Sequence, residues 1–305
     1  MSELTDQELI EELKKRFDQN KKALKEVQEL NDELQKVNKK LEESEALKSH
    51  FISNITNEII NPFASILALS KNILSVEKEN WKKVFSMVSL IYSEAFNLDF
   101  QLRNIFVAAK IEAGEIFPEI LNVDIKQLLE SVVDSFKYQS KKKKIDIQLQ
   151  FEIPTSEEKP FFFKTDAEKL RLIVSNLVSN AVKFSYENSK VVIKVWLNKN
   201  LLHVSVKDFG TGVSDENQKI IFDRFRRLDS GINSINRGHG LGLSINKALL
   251  DLLSGEIEIE SGQGNGSKFI VTIPEIESDI SGFAFDGNEM FFDDDKTFGD
   301  KEETF

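Results

Sequence analysis

Apolar positions near the N-terminus recur at steps of three and four: Val27, Leu30, Leu34, Val37 and Leu41 share one stripe that Ser44 continues. Leu47, Phe51 and Ile55 resume it after an extra three-residue step. The first fifty residues are nearly free of Gly and Pro and rich in Glu, Lys, Gln and Leu, which predicts helix. The seam predicts a short parallel coiled coil with a stutter; a lone amphipathic helix folded back on its own chain is the other reading, because Asn20 interrupts the upstream end. Apolar spacing resumes through Phe63, Ile66, Leu67 and Leu69, so Pro62 need not stop the helix. After a break near Leu74 to Asn80, a second helix is predicted from Trp81 to Ala113, closed near Gly114 with Pro118 beyond. Its inner stripe includes Val84, Val88, Ile91, Ala95, Leu98 and Leu102. Two long helices joined by a short loop make an antiparallel hairpin whose wide apolar face calls for a second copy.

Beyond Pro118 the elements shorten. A helix over Ile125 to Gln139 precedes the basic run KKKK at 141 to 144, and IDIQLQFEI then alternates like a half-buried strand. Asp166 to Asn180 and Leu241 to Leu253 read as helices. VVIKVWL and LLHVSVKD read as a hairpin about Asn198 to Asn200, and EIEIESGQGNGSKFIVTI (256 to 273) as another. The expected class is α+β: a helical-hairpin four-helix-bundle dimer domain followed by a two-layer α/β sandwich. The expected boundaries are residues 1–48 for the coiled-coil helix, 49–118 for the hairpin, 119–274 for the sandwich and 275–305 for a tail.

Charge sharpens the last boundary. The 305-residue chain has a formal charge of -11, and residues 275–305 hold eleven Asp or Glu against two Lys. That segment also carries six phenylalanines in polar surroundings, and reads as a flexible tail or a docking peptide. With 51 Asp and Glu against 40 Lys and Arg, the chain as a whole disfavours nucleic acid as the main partner. With no cysteine and only His50, His203 and His239, far apart, disulfide, thiolate and zinc chemistry are not expected. No apolar run has the length of a membrane span and no signal peptide is evident, so a soluble, cytoplasmic chain is expected.

Candidate chemistry concentrates after residue 165. DFGTG (208 to 212) follows a strand and GHGLG (238 to 242) precedes a helix; glycines there let backbone approach a ligand and turn amides toward phosphate oxygens. Each cluster alone is also an ordinary turn, and neither is a GxxxxGK[ST] or GxGxxG motif. Asn176, Asn180 and Lys183 step along one helix face, where an amide oxygen can help hold Mg²⁺ and an ammonium can neutralise phosphate; a solvated helix face is the plainer alternative. Asp208, at a strand end, is suited to accept from an exocyclic amine.

In this order the motifs resemble the sensor histidine kinases of two-component signalling with their GHKL-type ATP-binding domain, over about residues 45 to 274. NLVSNAVKFS (176 to 185) resembles the N box, which implies that Asn180 binds Mg²⁺ and Lys183 touches the phosphates of ATP. DFGTG, with Gly210 and Gly212, resembles the first glycine box, with Asp208 reading adenine. IFDRFRRLD (221 to 229) is similar to the phenylalanine box: Phe222 and Phe225 would support a lid, with Arg226 or Arg227 near phosphate. GHGLGLSI, with Gly238, His239, Gly240, Leu241 and Gly242, resembles the second glycine box closing a lid over Ser230 to Arg237, and GQGNGSKF (262 to 269) the last glycine turn.

The phosphoacceptor segment departs from the family. ITNEIINPF (55 to 63) keeps Glu58, Asn61 and Pro62, but Asn57 stands where the phosphorylated histidine belongs. An amide nitrogen delocalised into its carbonyl is a very poor nucleophile, and Glu58 has no imidazole proton to take, so autophosphorylation at residue 57 is expected to be absent. His50 lies two turns upstream, about 10 Å away along the helix, too far to substitute in the same pose. Ile60 also replaces the usual basic residue. Three readings remain. The chain is a homodimeric ATP-binding regulator docking a response-regulator receiver domain or another histidine kinase, a kinase inactivated by substitution at Asn57, or an aspartyl-phosphate phosphatase in which Glu58 and Asn61 place a water.

Overall fold

The computed structural model describes residues 6–76, 80–153, 160–223, 240–276 and 283–284. The chain divides into two units, Met1–Ser53 and Asn54–Phe305. Helix α1 (Asp6–Leu74) is one continuous helix with Pro62 inside it. Proline costs that helix one backbone hydrogen bond but does not end it. Along the first unit Leu13, Val27, Leu30, Leu34 and Leu41 are all more than half exposed, so the apolar stripe is unburied within a single chain. Helix α2 (Trp81–Ala113) ends where Gly114 takes the left-handed conformation at φ 69° and its N–H returns to the Ile111 carbonyl. No helix among the described residues is long and apolar enough to cross a membrane.

The α/β part follows in the order β1 (Leu121–Asp124), α3 (Ile125–Ser135), α4 (Lys137–Lys142), β2 (Asp146–Phe151), β3 (Phe162–Thr165), α5 (Ala167–Phe184), β4 (Lys190–Asn198) and β5 (Leu201–Lys207). The short α6 (Asp215–Gln218), α7 (Gly242–Leu252), β6 (Glu256–Ser261), β7 (Ser267–Pro274) and a two-residue β8 (Phe283–Ala284) complete it. Five strands form a mixed sheet in the order β2-β4-β5-β7-β6, with β2 parallel to β4 and the other pairs antiparallel. Lys199 and Asn200, both at positive φ, make the tight turn between β4 and β5, matching the twist of the strands they join. Along β7 buried and half-buried residues alternate without a break, so one sheet face takes the apolar side chains. Helices α3, α5 and α7 supply the other layer, and Leu128, Val132, Ile173, Leu177, Ile193 and Leu249 between them are fully buried.

Three local expectations change. The helix expected over Ile125 to Gln139 stops at Ser135; Phe136 breaks it, and α4 restarts at Lys137. Phe136 leaves the helical path to bury its ring edge-on against Phe96 and Phe100 of α2, with centroids 5.5 and 6.0 Å away. The helix expected to end at Asn180 continues to Phe184. The second sheet, β3-β1-β8, is not legible in the sequence, because β1 and β3 are four residues long. Its third strand comes from within residues 275–305: Phe283 and Ala284 pair parallel with Asn122 and Val123, so at those two residues the expected flexible tail is a strand.

Within the second unit α2 also meets α7, where Ala108 and Ile111 face Leu241, Ile245 and Ala248. The Gln139 amide donates to the Asn97 amide oxygen at 3.2 Å, next to the phenylalanine cluster.

The core placement predicts that Leu177→Ala lowers unfolding free energy by about 2–5 kcal/mol in urea titration. The same truncation at Leu197, 39% exposed on β4, should cost well under half as much.

Candidate nucleotide-binding site

Helix α5 is the axis of the site. Asp166 caps it, accepting from Lys169 N–H at 3.0 Å, and the same carboxylate takes the Glu119 N–H at 2.7 Å and the Lys169 ammonium at 2.6 Å. Asn180 is half-buried, and among the described residues its amide has no hydrogen-bond partner. Lys183 lies one turn on, with its ammonium 5.0 Å from the centre of the Phe184 ring.

Asn176 is placed differently from the sequence expectation. It is 3% exposed, and its amide donates to the Asn246 amide oxygen at 2.9 Å and toward the Gly242 carbonyl at 3.4 Å. Asn246, fully buried, donates onward to the Ile173 carbonyl at 3.0 Å. The Asn176 side chain therefore ties α5 to the first turn of α7, with both amide hydrogens committed there.

The glycine turns interlock behind Asp208. Ser185 and Gly210 form an antiparallel bridge, and the Thr211 N–H donates to the Phe184 carbonyl. A Cβ on Gly210 would sit 2.0 Å from that carbonyl oxygen; one on Gly212 would meet the Gly262 carbonyl, and one on Gly266 the Asp208 carbonyl. These glycines are thus required by close backbone approach. Gly264 N–H bonds the Thr211 carbonyl and Gly266 N–H the Gly210 carbonyl, so the DFGTG and GQGNG turns are pinned to one another. Ser261 joins them from the side. Its hydroxyl accepts from Val213 N–H at 2.8 Å, donates to the Gly266 carbonyl at 2.9 Å and lies 3.0 Å from the Ser267 hydroxyl. Neither Ser261 nor Ser267 carries a spacing signal beyond lying beside glycines.

Asp208 is 5% exposed. Burial pushes its carboxyl above the usual aspartate value, while the Ser267 N–H, the Gly210 N–H and the Ser267 hydroxyl pull it back. Three donors leave an ionised carboxylate room to accept one more, as an exocyclic amine requires.

Gly240 adopts φ 68°, Leu241 is buried, and Gly242 opens α7 against the Asn176 side chain. Arg226, Arg227, Gly238, His239, Phe225 and the expected lid lie outside the described residues, whereas Phe222 is half-buried. Asn57, Glu58 and Asn61 fall within α1; Asn61 is exposed, and the side chains of Asn57 and Glu58 lie outside the described residues. His203 is in β5, stacked on Trp196 at 4.9 Å and bonded to the Thr272 hydroxyl, with burial lowering its pKa. It is a sheet-face residue.

The site thus consists of a mixed sheet backed by three helices, with glycine turns gathered round a buried aspartate. Residues 165–277 match the family described as histidine kinase-, DNA gyrase B- and HSP90-like ATPase. The chain carries this histidine kinase-type ATPase domain, and its curated homologues are histidine kinases. The circadian input-output histidine kinase CikA of Synechocystis is 26% identical over 260 residues, 84% of this chain and 34% of that protein. The sensor protein GacS of Pseudomonas syringae is 30% identical over 248 residues, 80% of this chain and 27% of that one. The chain thus spans about a third of the length of the curated relatives it matches. Full-length ShkA in complex with AMPPNP shares the fold at a TM-score of 0.52 and 22% identity, covering 77% of this chain and 46% of that one.

The contact geometry predicts that Gly210→Ala lowers thermal stability by about 1–3 kcal/mol or more, because the added methyl meets backbone. Gly242→Ala, whose methyl would meet a side-chain amide at 3.3 Å, should cost less; paired calorimetric melts measure the difference.

Proposed function

We propose that this chain is a dimeric, Mg-ATP-binding regulator of the histidine-kinase type that does not autophosphorylate at residue 57. The interlocked glycine turns around Asp208 carry the reading: these turns are pinned to one another although Asn57 offers no nucleophile. Asp208 accepts the adenine amine, the amide oxygen of Asn180 is a hard ligand suited to Mg²⁺, and the Lys183 ammonium offsets phosphate charge. ATP supplies a transferable phosphoryl group when bound. The exposed apolar side chains of Phe63, Leu67, Trp81, Phe85, Val88 and Tyr92 favour a second copy packing against α1 and α2. A response-regulator receiver domain, or another histidine kinase, is the partner that such a dimer would dock.

Isothermal titration should show Mg-AMPPNP binding that weakens at least tenfold in Asp208→Asn; no binding by the unsubstituted chain would sink the assignment of Asn180, Lys183 and Asp208. The pH dependence has a defined sign. Asp208 accepts more strongly when ionised, and burial raises its pKa, so affinity falls with acidification at a higher pH than an ordinary aspartate would give. Asp208→Asn should remove that step from the profile.

The unsubstituted chain incubated with γ-labelled ATP should give no acid-labile phosphoprotein, and Asn57→His should create one. Labelling that appears without the substitution and vanishes in His50→Ala would replace this reading with a displaced acceptor.

A further inference from the structure

The four lysines at 141 to 144 are not equivalent. Lys141, Lys142 and Lys144 are exposed, whereas Lys143 is half-buried. Its ammonium donates to the carbonyls of Val182 at 3.1 Å, Ser185 at 3.3 Å and Lys183. These carbonyls belong to the last turn of α5 and the residue that caps it. A helix leaves its final carbonyls without partners inside the helix, and they carry the negative end of its dipole. An ammonium has three N–H donors, and here all three are used. Burial lowers the Lys143 pKa, and the nearby Glu187 carboxylate opposes that shift.

The turn that Lys143 holds is the hub of the site. Asn180 and Lys183 project from it, the Phe184 carbonyl accepts from Thr211 N–H, Ser185 bridges Gly210, and the Tyr186 N–H donates to the Phe209 carbonyl at 3.3 Å. Lys143 is itself fixed. Its carbonyl accepts from the Asn188 N–H at 3.2 Å, and Lys144, at φ 56°, turns the chain directly into β2. The side chain thus spans from the α4–β2 turn to the end of α5 without reaching the ligand loops itself.

We propose that Lys143 is a positioning residue for the nucleotide site: its ammonium closes the C-terminus of α5 and so sets Asn180, Lys183 and the Phe209–Thr211 loop relative to one another. This rests on the reading of α5 and DFGTG as nucleotide ligands. A charge that merely solvates the surface, as its three neighbours do, would leave that loop unaffected.

The test compares Lys143→Met, which keeps the stem and removes the donors, with Lys143→Arg and with Lys142→Met as control, all in the full chain. In Lys143→Met the amides of Ser185, Tyr186 and Thr211 should exchange hydrogen about tenfold faster or more, with the β5–β7 and β6–β7 amides unchanged. Mg-AMPPNP affinity should fall about tenfold in the same variant, recover at least in part in Lys143→Arg and stay unchanged in Lys142→Met. Unaltered exchange at the three amides overturns the proposal. So does a rise spread evenly over the whole domain, which would make Lys143 an anchor of global stability only, and so does local loosening with undiminished affinity. If the unsubstituted chain binds no Mg-AMPPNP, the nucleotide reading fails by itself, and the exchange contrast still decides whether Lys143 holds the turn.

Discussion

Two buried asparagine side chains hold helix α5 against helix α7, and most of the site inherits its geometry from that contact. Asn176 gives its amide hydrogens to Asn246 and Gly242, and Asn246 gives its own to the Ile173 carbonyl. Buried amides of this kind cost about 1–3 kcal/mol each when left unpaired, so the pair favours one relative setting of the two helices over neighbouring ones. Leucine in both places would pack, but it would not select that register. Gly242 belongs to the same constraint, since any side chain there presses on the Asn176 amide. Helix α7 therefore starts where α5 allows it.

Around this axis the loops are fixed by backbone more than by side chains. Gly210, Gly212 and Gly266 each approach a carbonyl more closely than any Cβ permits, which brings the 208–212 and 262–266 turns into a single layer. Asp208 sits at the junction, buried enough to resist ionisation yet supplied with amide and hydroxyl donors that support the ionised form. A carboxylate that has already lost most of its water gives up little more when it accepts a hydrogen bond from a ligand, so such a group serves selectivity better than an exposed one.

What the sequence revealed depended on periodicity. The β4–β5 and β6–β7 hairpins were readable because half-buried strands alternate over six or more residues and end in turn-forming residues. The glycine clusters were readable because they follow a strand or precede a helix. Strands β1 and β3 were not, since four residues show no period, and neither was the stop at Phe136, which is imposed by rings on α2. Asn176 and Asn180 lie four apart on one helix, and spacing alone made them equivalent ligands. Only the opposing helix shows that the amide hydrogens of the first are used in packing, while among the described residues the amide of the second has no partner. Lys143 was hidden for the opposite reason, as one lysine of four in a run that reads as solvated charge.

The segment containing Phe136, Gln139 and Lys143 joins these observations. One end of it touches α2, through the rings of Phe96 and Phe100 and the Asn97 amide, and the other closes the last turn of α5. Between them lies only α4, six residues and about 9 Å of helix. A displacement of α2 would reach the end of α5 through this short, hydrogen-bonded element sooner than through the sheet, where β4, β5 and β7 are each held between two neighbours. Contiguity of this kind is a route and not yet a coupling. Signal transfer along it requires that the α5 turn have two settings of similar free energy. A closure made by one ammonium and three carbonyls, partly open to water, is the kind of joint in which two settings can lie close together.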